Sequence, residues 1–545
     1  MFEALPDKGV PGDQILAELQ QLRAADLPTH GGRLFAYVYD PALDGLDDLA
    51  QAAYAVSAHV NGLDPTAFPS LLAMENALVG AAAGLLGGDE HTVGSVTSGG
   101  TESLILAVKA ARDSRPELMT PRLVIPSTAH AAFAKAAHYL RVALDVVPVG
   151  ADLRADPAAL AAAIGPDTVL VAASAPSYAH GVVDPIPQIA ALCAERGVRF
   201  HVDACFGGWV LPYLRRLGAD LPAFDLSVPG VTSISVDLHK YAYAAKGVSI
   251  LLHRDEALRR PQYFAYAGWP GYTMINPVIS STRSGGPIAA AVATLRHIGD
   301  AGYLDLATQT REAVTLLAAA VTATPGLRLY SPPETTVVCL TTDLSPSDKS
   351  PDDHSRLDDG GGRGAGVRDD DGGGVEGDGG PGGGGDDGHG SDGHGGRGDG
   401  GGSGEGGNPI DLFVLADELA ARGWHTQPQM AFADMPPTIH LTVTASVRAT
   451  APGFAADLAD AVAAARAAGP VSLPAPLLEA AGALTPEQVT PELIAGLAET
   501  MGLGGGDFTR MAAVNSLLNV APPGLREALL TGFLSLLQRP TRPER

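Results

Sequence analysis

The chain has 545 residues, room for two to four domains at roughly 150 each, which excludes a single small binding module. Hydrophobic residues make up 46% of it and charged residues 18%, a globular composition, and the formal charge of −25 disfavours general affinity for nucleic acid. Cys193, Cys205 and Cys339 lie far apart with no C-x-x-C pairing, which fits a reducing cytosol better than a disulfide scaffold. No charged and apolar leader opens the chain, and its apolar runs fall short of the roughly 18 residues of a membrane span, so a soluble, cytoplasmic protein without a transmembrane segment is expected.

Residues 13–24 place Ile15, Leu16, Leu19 and Leu22 at helical spacing behind Asp13, which predicts a short amphipathic helix. With the arm that follows, carrying Tyr37 and Tyr39, it makes up residues 1–70. Over 71–302, short β-branched runs (123–125, 168–171, 198–202, 233–236 and 248–252) alternate with Ala- and Leu-rich helical stretches. That alternation implies βα units, hence an α/β large domain with a mainly parallel sheet. A helix is expected from Pro287, and 303–470 reads as a smaller C-terminal α/β domain with strands at 337–340 and 439–443. It is interrupted at 343–408 by a tract with 27 glycines, 16 acidic and 5 basic residues. Such a tract has too few apolar side chains to offset its ordering entropy, so a disordered loop is expected. His354, His389 and His394 within it are read as part of a solvated acidic linker, not as a metal site. The last stretch, 471–545, is helical by pattern over 484–537, expected to cap a domain or a subunit contact.

Three segments carry chemistry. Thr97-Ser-Gly-Gly-Thr-Glu-Ser103 follows a short strand and precedes a helix; its free N–H groups and the positive helix end make a phosphate cradle, helped by the hydroxyls of Thr101 and Ser103. Read alone, it is equally an ordinary glycine turn, and it matches neither the P-loop nor the dinucleotide fingerprint. Asp203, in Phe200-His-Val-Asp-Ala-Cys-Phe-Gly-Gly208, ends an apolar strand and so faces the ligand crevice of an open parallel sheet. It suits a metal, a ribose, a protonated ring nitrogen or a structural strand end. Ser235-Val-Asp-Leu-His-Lys-Tyr241 brings His239 and Lys240 to another strand end, with Lys246 beyond. A buried lysine is costly unless paired or neutralised, and imine formation with an aldehyde cofactor neutralises it. Together the phosphate cradle, the carboxylate and the lysine are what pyridoxal 5'-phosphate requires.

In that order, TSGGTES, HVDACFGGW and SVDLHKYAYAAKG resemble the pyridoxal-phosphate lyases of the sphingosine-1-phosphate lyase group, within the group II decarboxylases. GGRLFAYVYD (31–40), NGLDPTAFPSLLAMEN (61–76), VIPSTAHAAFAKAAHYL (124–140), SAPSYAHGVVDPI (174–186) and GWPGYTMINPVISSTRSGG (268–286) extend the likeness. The resemblance implies an aspartate-aminotransferase-type fold (pyridoxal-phosphate fold type I). It implies that Lys240 forms the Schiff base, Asp203 partners the pyridinium nitrogen, and His130 stacks on the ring. Gly99, Gly100 and Thr101 would hold the phosphate with His239 near it. Tyr39 and Lys246 would be acid–base residues contacting a small-molecule amine substrate, and His180 a histidine near the site. The family's dimeric architecture implies a homodimer with sites at the interface, where Tyr39 and Thr282 reach across from the partner chain.

The substrate side departs from the pattern. Asp64 stands where the family has a histidine, Tyr272 replaces a glycine, and 280–285 reads SSTRSG; an acid at 64 repels a phosphate. The first reading is therefore a lyase cleaving a β-hydroxy amine, phosphorylated or not. An amino-acid decarboxylase, with Arg448 holding a carboxylate, is the alternative. A non-catalytic interaction protein of this fold is a third, against which stand Lys240 and Asp203, which a scaffold has no need to keep. His138 and Cys205 are read as packing residues, and Met430, Met435 and Met501 as core. Deleting Asp343 to Asn408 is expected to leave turnover intact in a steady-state assay, and loss of catalysis with the fold preserved would contradict the insertion reading.

Overall fold

The structure is a computed structural model that describes residues 5–343, 408–474, 483–501 and 510–538. The disordered loop expected at 343–408 lies outside the described residues, apart from its two end residues. Helices α1 (Gly12–Arg23), α2 (Leu46–Ser57) and α3 (Pro69–Leu85) precede strand β1 (Val93–Thr97). Then follow α4 (Gly100–Asp113), β2 (Arg122–Pro126), α5 (Ala132–Leu140), β3 (Ala143–Val147), α6 (Pro157–Ala163), β4 (Thr168–Ser174) and α7 (Ile186–Glu195). The unit is completed by β5 (Arg199–Asp203), α8 (Leu211–Arg216), β6 (Ser233–Asp237) and β7 (Ser249–His253).

These strands form one sheet in the order β1-β7-β6-β5-β4-β2-β3. The pairs from β3 through β6 are parallel, and β7 runs antiparallel to both of its neighbours. Every residue of β4, β6 and β7 is buried, the mark of strands covered on both faces. The polar exceptions are satisfied internally. His201 of β5 lies 2.9 Å from the Ser233 hydroxyl and 3.1 Å from that of Ser235 through its two ring nitrogens, and burial pushes its pKa down to about 3, so the imidazole is neutral.

A second sheet follows α9 (Glu256–Arg259), the hairpin β8 (Phe264–Tyr266) and β9 (Met274–Asn276), and the long helix α10 (Gly285–Ala323). The sequence placed the start of α10 at Pro287; Ser284 caps it two residues earlier, accepting from the Gly286 amide at 3.2 Å. A break at Gly299, with φ of 63°, kinks the helix. Strands β10 (Leu327–Leu329) and β11 (Val337–Thr342), helix α11 (Leu412–Ala421), strands β12 (Gln427–Gln429) and β13 (Thr438–Thr442), and helix α12 (Val447–Ala468) follow. The antiparallel order β10-β11-β13-β12 packs Val338, Leu340, Ile439 and Leu441 into a core with Trp424 and Phe454.

Helices α13 (Pro491–Thr500), α14 (Ala512–Val520) and α15 (Pro523–Leu537) close the chain, in keeping with its helical pattern. Asp417 of α11 accepts from the amides of Met511 and Ala512, both at 2.9 Å, and so ties the start of α14 to the second sheet. No helix among the described residues is long and apolar enough to cross a membrane.

The N-terminal arm belongs to both halves, a feature the sequence reading did not anticipate. The Phe35 amide donates to His425 O and its carbonyl accepts from the Thr442 amide, each at 2.8 Å. Its ring packs against Trp424 and Phe454, 6.1 and 5.2 Å between centroids. Four residues later the arm delivers Tyr39 to the edge of the first sheet.

Tyr241, 1% exposed, provides a second tie: its hydroxyl donates to the Val443 carbonyl at 2.9 Å, joining the turn after β6 to the end of β13. Tyr241→Phe is expected to lower the free energy of unfolding by about 1–2 kcal/mol in urea titrations, because the buried carbonyl loses its donor. An unchanged midpoint would show that this tie is energetically idle.

Candidate active site

Six of the seven strands of the first sheet point the same way, so their C-terminal ends collect polar groups along one edge. There a cleft of about 490 Å³ opens, floored by the ends of β1, β4, β5 and β6. From β1 come Ser98, Gly99, Gly100 and Thr101 at the N-terminus of α4. Gly100 cannot be anything larger: a Cβ there would sit 2.9 Å from both carboxylate oxygens of Asp237 and from Cys205 Sγ. Ser103 corrects the sequence reading. It is fully buried, with its hydroxyl 2.7 Å from that of Thr97, and belongs to the packing under the turn and not to the anion cradle.

Asp203 ends β5 on the cleft wall, 7% exposed. It accepts the Cys205 amide at 3.1 Å through one oxygen, and its other oxygen has no hydrogen bond among the described residues. Cys205 is packing, as expected: its thiol donates to Ser235 Oγ at 3.1 Å, and burial raises its pKa well above the usual thiol range.

Lys240 lies in the turn after β6 with Nζ 2.9 Å from Asp237 Oδ2 and 5.8 Å from the centre of the Phe206 ring. Asp237 was not singled out from the sequence. It is 2% exposed and accepts from Ser249 Oγ at 2.6 Å, and His239 Nε2 stands 3.5 Å away. Burial alone would raise the carboxyl's pKa, but the charges of Lys240 and His239 and the Ser249 hydroxyl hold it below the ordinary range. Burial likewise opposes the charge on Lys240, and Asp237 more than restores it, raising the ammonium's pKa.

His239, Lys246 and His130 complete the cleft. His239 Nδ1 is buried and has no hydrogen-bond partner among the described residues. Lys246 is exposed at the mouth, with Nζ 3.4 Å from the His239 carbonyl and 5.1 Å from the centre of the Tyr39 ring. Desolvation by that packing, with the charge of Lys240, brings its pKa down to about 8. His130 Nδ1 accepts the Ala132 amide at 3.1 Å, and its ring meets Tyr178 edge-on at 6.5 Å.

Tyr178, also missed in the sequence, forms a wall of the cleft. Its ring stacks on His440 of β13 at 4.6 Å and meets Phe206 edge-on at 5.3 Å, and its hydroxyl donates to Gln427 Oε1 of β12 at 2.6 Å. Tyr39 stands just behind, edge-on to Tyr241 at 5.0 Å. It packs beside Lys246 of its own chain, behind the residues that line the cleft. Burial and the nearby Tyr178 and Asp237 raise its pKa well above 10.0, so the phenol keeps its proton.

Other candidates are not brought together with these. Thr282 is exposed in the loop after β9, outside its own chain's cleft. His180 is buried beside Tyr330, 5.6 Å away, with a pKa pushed down to about 4 by burial, and does not line the cleft. Asp64 is exposed in a turn and accepts from the amide and hydroxyl of Thr66 at 2.8 and 2.6 Å. Arg448 is ion-paired with Glu312 away from the cleft. His138 is exposed on α5.

A glycine turn on a helix end, a strand-end carboxylate and a lysine on one edge of a mainly parallel sheet define a pyridoxal-phosphate enzyme of fold type I. Residues 3–342 match the family model for the pyridoxal-dependent decarboxylase conserved domain, and the chain belongs to that family. Residues 474–536 match a C-terminal domain model of pyridoxal-dependent enzymes whose description relates it to the helix-turn-helix. The chain is 38% identical over 345 residues to the sphingosine-1-phosphate lyase of Dictyostelium discoideum, covering 62% of this chain and 65% of that one. It thus spans less than two thirds of that lyase's length. It is 30% identical over 337 residues to a probable L-aspartate decarboxylase of Pyrococcus furiosus, covering 62% of this chain and 89% of the relative. Among solved structures, a sphingosine-1-phosphate lyase of Burkholderia pseudomallei superposes with a TM-score of 0.70 at 30% identity, over 86% of this chain and 94% of that one.

The cofactor is pyridoxal 5'-phosphate, and the residues fit it. The unpartnered His239 Nδ1 suits a phosphate oxygen beside the Gly99–Thr101 turn, and the open oxygen of Asp203 suits a protonated ring nitrogen.

Proposed function

We propose that the chain is a carbon–carbon lyase that cleaves the Cα–Cβ bond of a β-hydroxy amine, releasing an aldehyde. The observation that carries this reading is the place of Lys246, whose amine stands at the cleft mouth 5.1 Å from the centre of the Tyr39 ring, with its pKa lowered to about 8 by desolvation and the charge of Lys240. A lysine so tuned is a base at slightly alkaline pH, as removal of a hydroxyl proton requires. Against the decarboxylase alternative, no arginine lines the cleft among the described residues, and Arg448 is occupied by Glu312.

The cofactor, when bound, supplies an electron sink next to the substrate carbon that bears the amine. Lys240 holds it, Asp203 keeps the ring-nitrogen proton in place, and the amides of Gly99, Gly100 and Thr101 with the positive end of α4 receive the phosphate. His130 and Tyr178 wall the cleft, and Tyr178 is fixed by Gln427. Lys246 Nζ takes the proton from the β-hydroxyl, whose oxygen becomes the aldehyde carbonyl. Tyr39, which keeps its own proton, orients that hydroxyl by hydrogen bonding and packs beside Lys246.

The reading includes a cytoplasmic homodimer. All three cysteines are buried and unpaired, which suits a reducing compartment. Helix α1 buries none of its residues, leaving Leu16, Leu19 and Leu22 exposed, and the hairpin region presents Phe264, Tyr266, Trp269 and Tyr272. Apolar surface of that extent suits a partner chain, to whose cleft Thr282 would be contributed.

With a phosphorylated β-hydroxy amine as substrate, aldehyde release should rise between pH 7 and 9 with a midpoint near 8, as Lys246 loses its proton. Lys246→Met should lower kcat by about 10²–10⁴-fold and abolish that rise. Carbon dioxide release from an amino acid, with no aldehyde from any β-hydroxy amine, would establish the decarboxylase instead.

A further inference from the structure

Asp237 has no part in the chemistry described so far, yet it is the most enclosed charged group of the site. It lies under the turn that starts α4, so close that Gly100 admits no side chain. A carboxylate taken out of water is costly unless donors or cations compensate it. Three groups converge on this one: the Ser249 hydroxyl at 2.6 Å, the Lys240 ammonium at 2.9 Å and the His239 ring at 3.5 Å. Lys240 is the conditional member. A lysine that carries an aldehyde cofactor is free before the cofactor is captured and again while the substrate's amine has taken its place.

We propose that Asp237 is a positioning residue that receives Lys240 whenever it is free, holding it as an ammonium ion on the cleft floor until it is needed. Ser249 and the start of α4 keep the carboxylate in place when the lysine leaves it. The neighbouring groups leave this task to Asp237. Asp203 and Cys205 also face Lys240, but Asp203 accepts the Cys205 amide through one oxygen and keeps the other for the ring nitrogen, and Cys205 is a neutral thiol. Lys246 repels a second cation, His239, whose pKa burial lowers, carries no negative charge to hold one, Tyr178 is engaged by Gln427, and Tyr39 keeps its proton. Glu102 at the start of α4 is committed to the amides of Ser98 and Ile279, at 2.6 and 2.9 Å. His130 is bonded to the Ala132 amide. The charge state of Lys240 supports the geometry, since Asp237 raises its pKa against burial whereas that of Lys246 falls.

The inference rests on Lys240 being the cofactor lysine, and its test is read without cofactor or substrate, so failure of one is distinguishable from failure of the other. The full-length chain is freed of pyridoxal phosphate with hydroxylamine and labelled with trace acetic anhydride across a pH series, and Lys240 and Lys246 are followed by peptide mapping. In the unmodified sequence the labelling midpoint of Lys240 should lie above that of free lysine and that of Lys246 below it. In Asp237→Asn, an isosteric change, the Lys240 midpoint should fall by at least about one pH unit, tenfold more neutral amine at a given pH, with native circular dichroism. A Lys240 midpoint at or below that of Lys246 overturns the proposal, as does a Lys240 midpoint unmoved in folded Asp237→Asn. If that variant does not fold, the comparison of the two lysines in the unmodified sequence decides.

Discussion

A sheet covered on both faces admits charge only at its strand ends, and there only when the charge is paired. That constraint shapes this molecule. Strands β4, β6 and β7 are buried throughout, so the charged groups of the first sheet's core gather where the parallel strands stop, at Asp203, Asp237 and Lys240, while His201 within β5 is neutral. Because the strands run the same way, these ends share one edge, and the glycine turn of α4 comes to the same edge from β1. The buried pair between Asp237 and Lys240 is the tightest expression of the constraint. It fixes the lysine, forbids a side chain at Gly100 and draws the α4 helix end against the cleft floor.

The cleft also depends on the second sheet. Tyr178 and Phe206 line the cleft, Tyr241 and Tyr39 pack behind them, and each of the three tyrosines is anchored outside the first sheet. Tyr178 is held by Gln427 and stacked on His440, Tyr241 is bonded to the Val443 carbonyl, and Tyr39 arrives on an arm whose Phe35 lies in the second core. Movement of one core relative to the other would therefore be felt first at the wall facing the substrate. The floor proposed to hold the cofactor is built from the first sheet alone. This division fits a family in which one cofactor site serves proteins described as lyases and as decarboxylases.

Apart from Asp237, the floor residues, His130 and Tyr39 were legible in the sequence, and Tyr178 was not. Asp203, Lys240 and Gly99–Thr101 announce themselves because each is a polar or glycine interruption at the end of an apolar strand, a signal confined to a few adjacent residues. Asp237 gave the same signal but was masked by the lysine three positions on. Tyr178 gave none, since its role comes from Gln427, 249 positions away in the chain. For the same reason the arm's place in the second core was invisible: Phe35 meets Trp424 and Phe454 through contacts that no local periodicity encodes. The strand runs were read to within a few residues, but β3, β10, β12 and the β8–β9 hairpin went unmarked, all but β3 because three-residue strands are too short for alternation to register. Ser103 was misassigned because a hydroxyl near a glycine turn reads as a ligand until its neighbour, Thr97, is seen to claim it.

The central claim is that Lys240 carries the cofactor at this strand edge. It is tested most directly by reducing the purified protein with borohydride, digesting it and locating the pyridoxyl group. The account predicts a yellow protein that bleaches on reduction, with the label on Lys240 and none fixed in Lys240→Ala. A colourless protein that does not take up added pyridoxal phosphate, or a label on Lys246 instead, would contradict it.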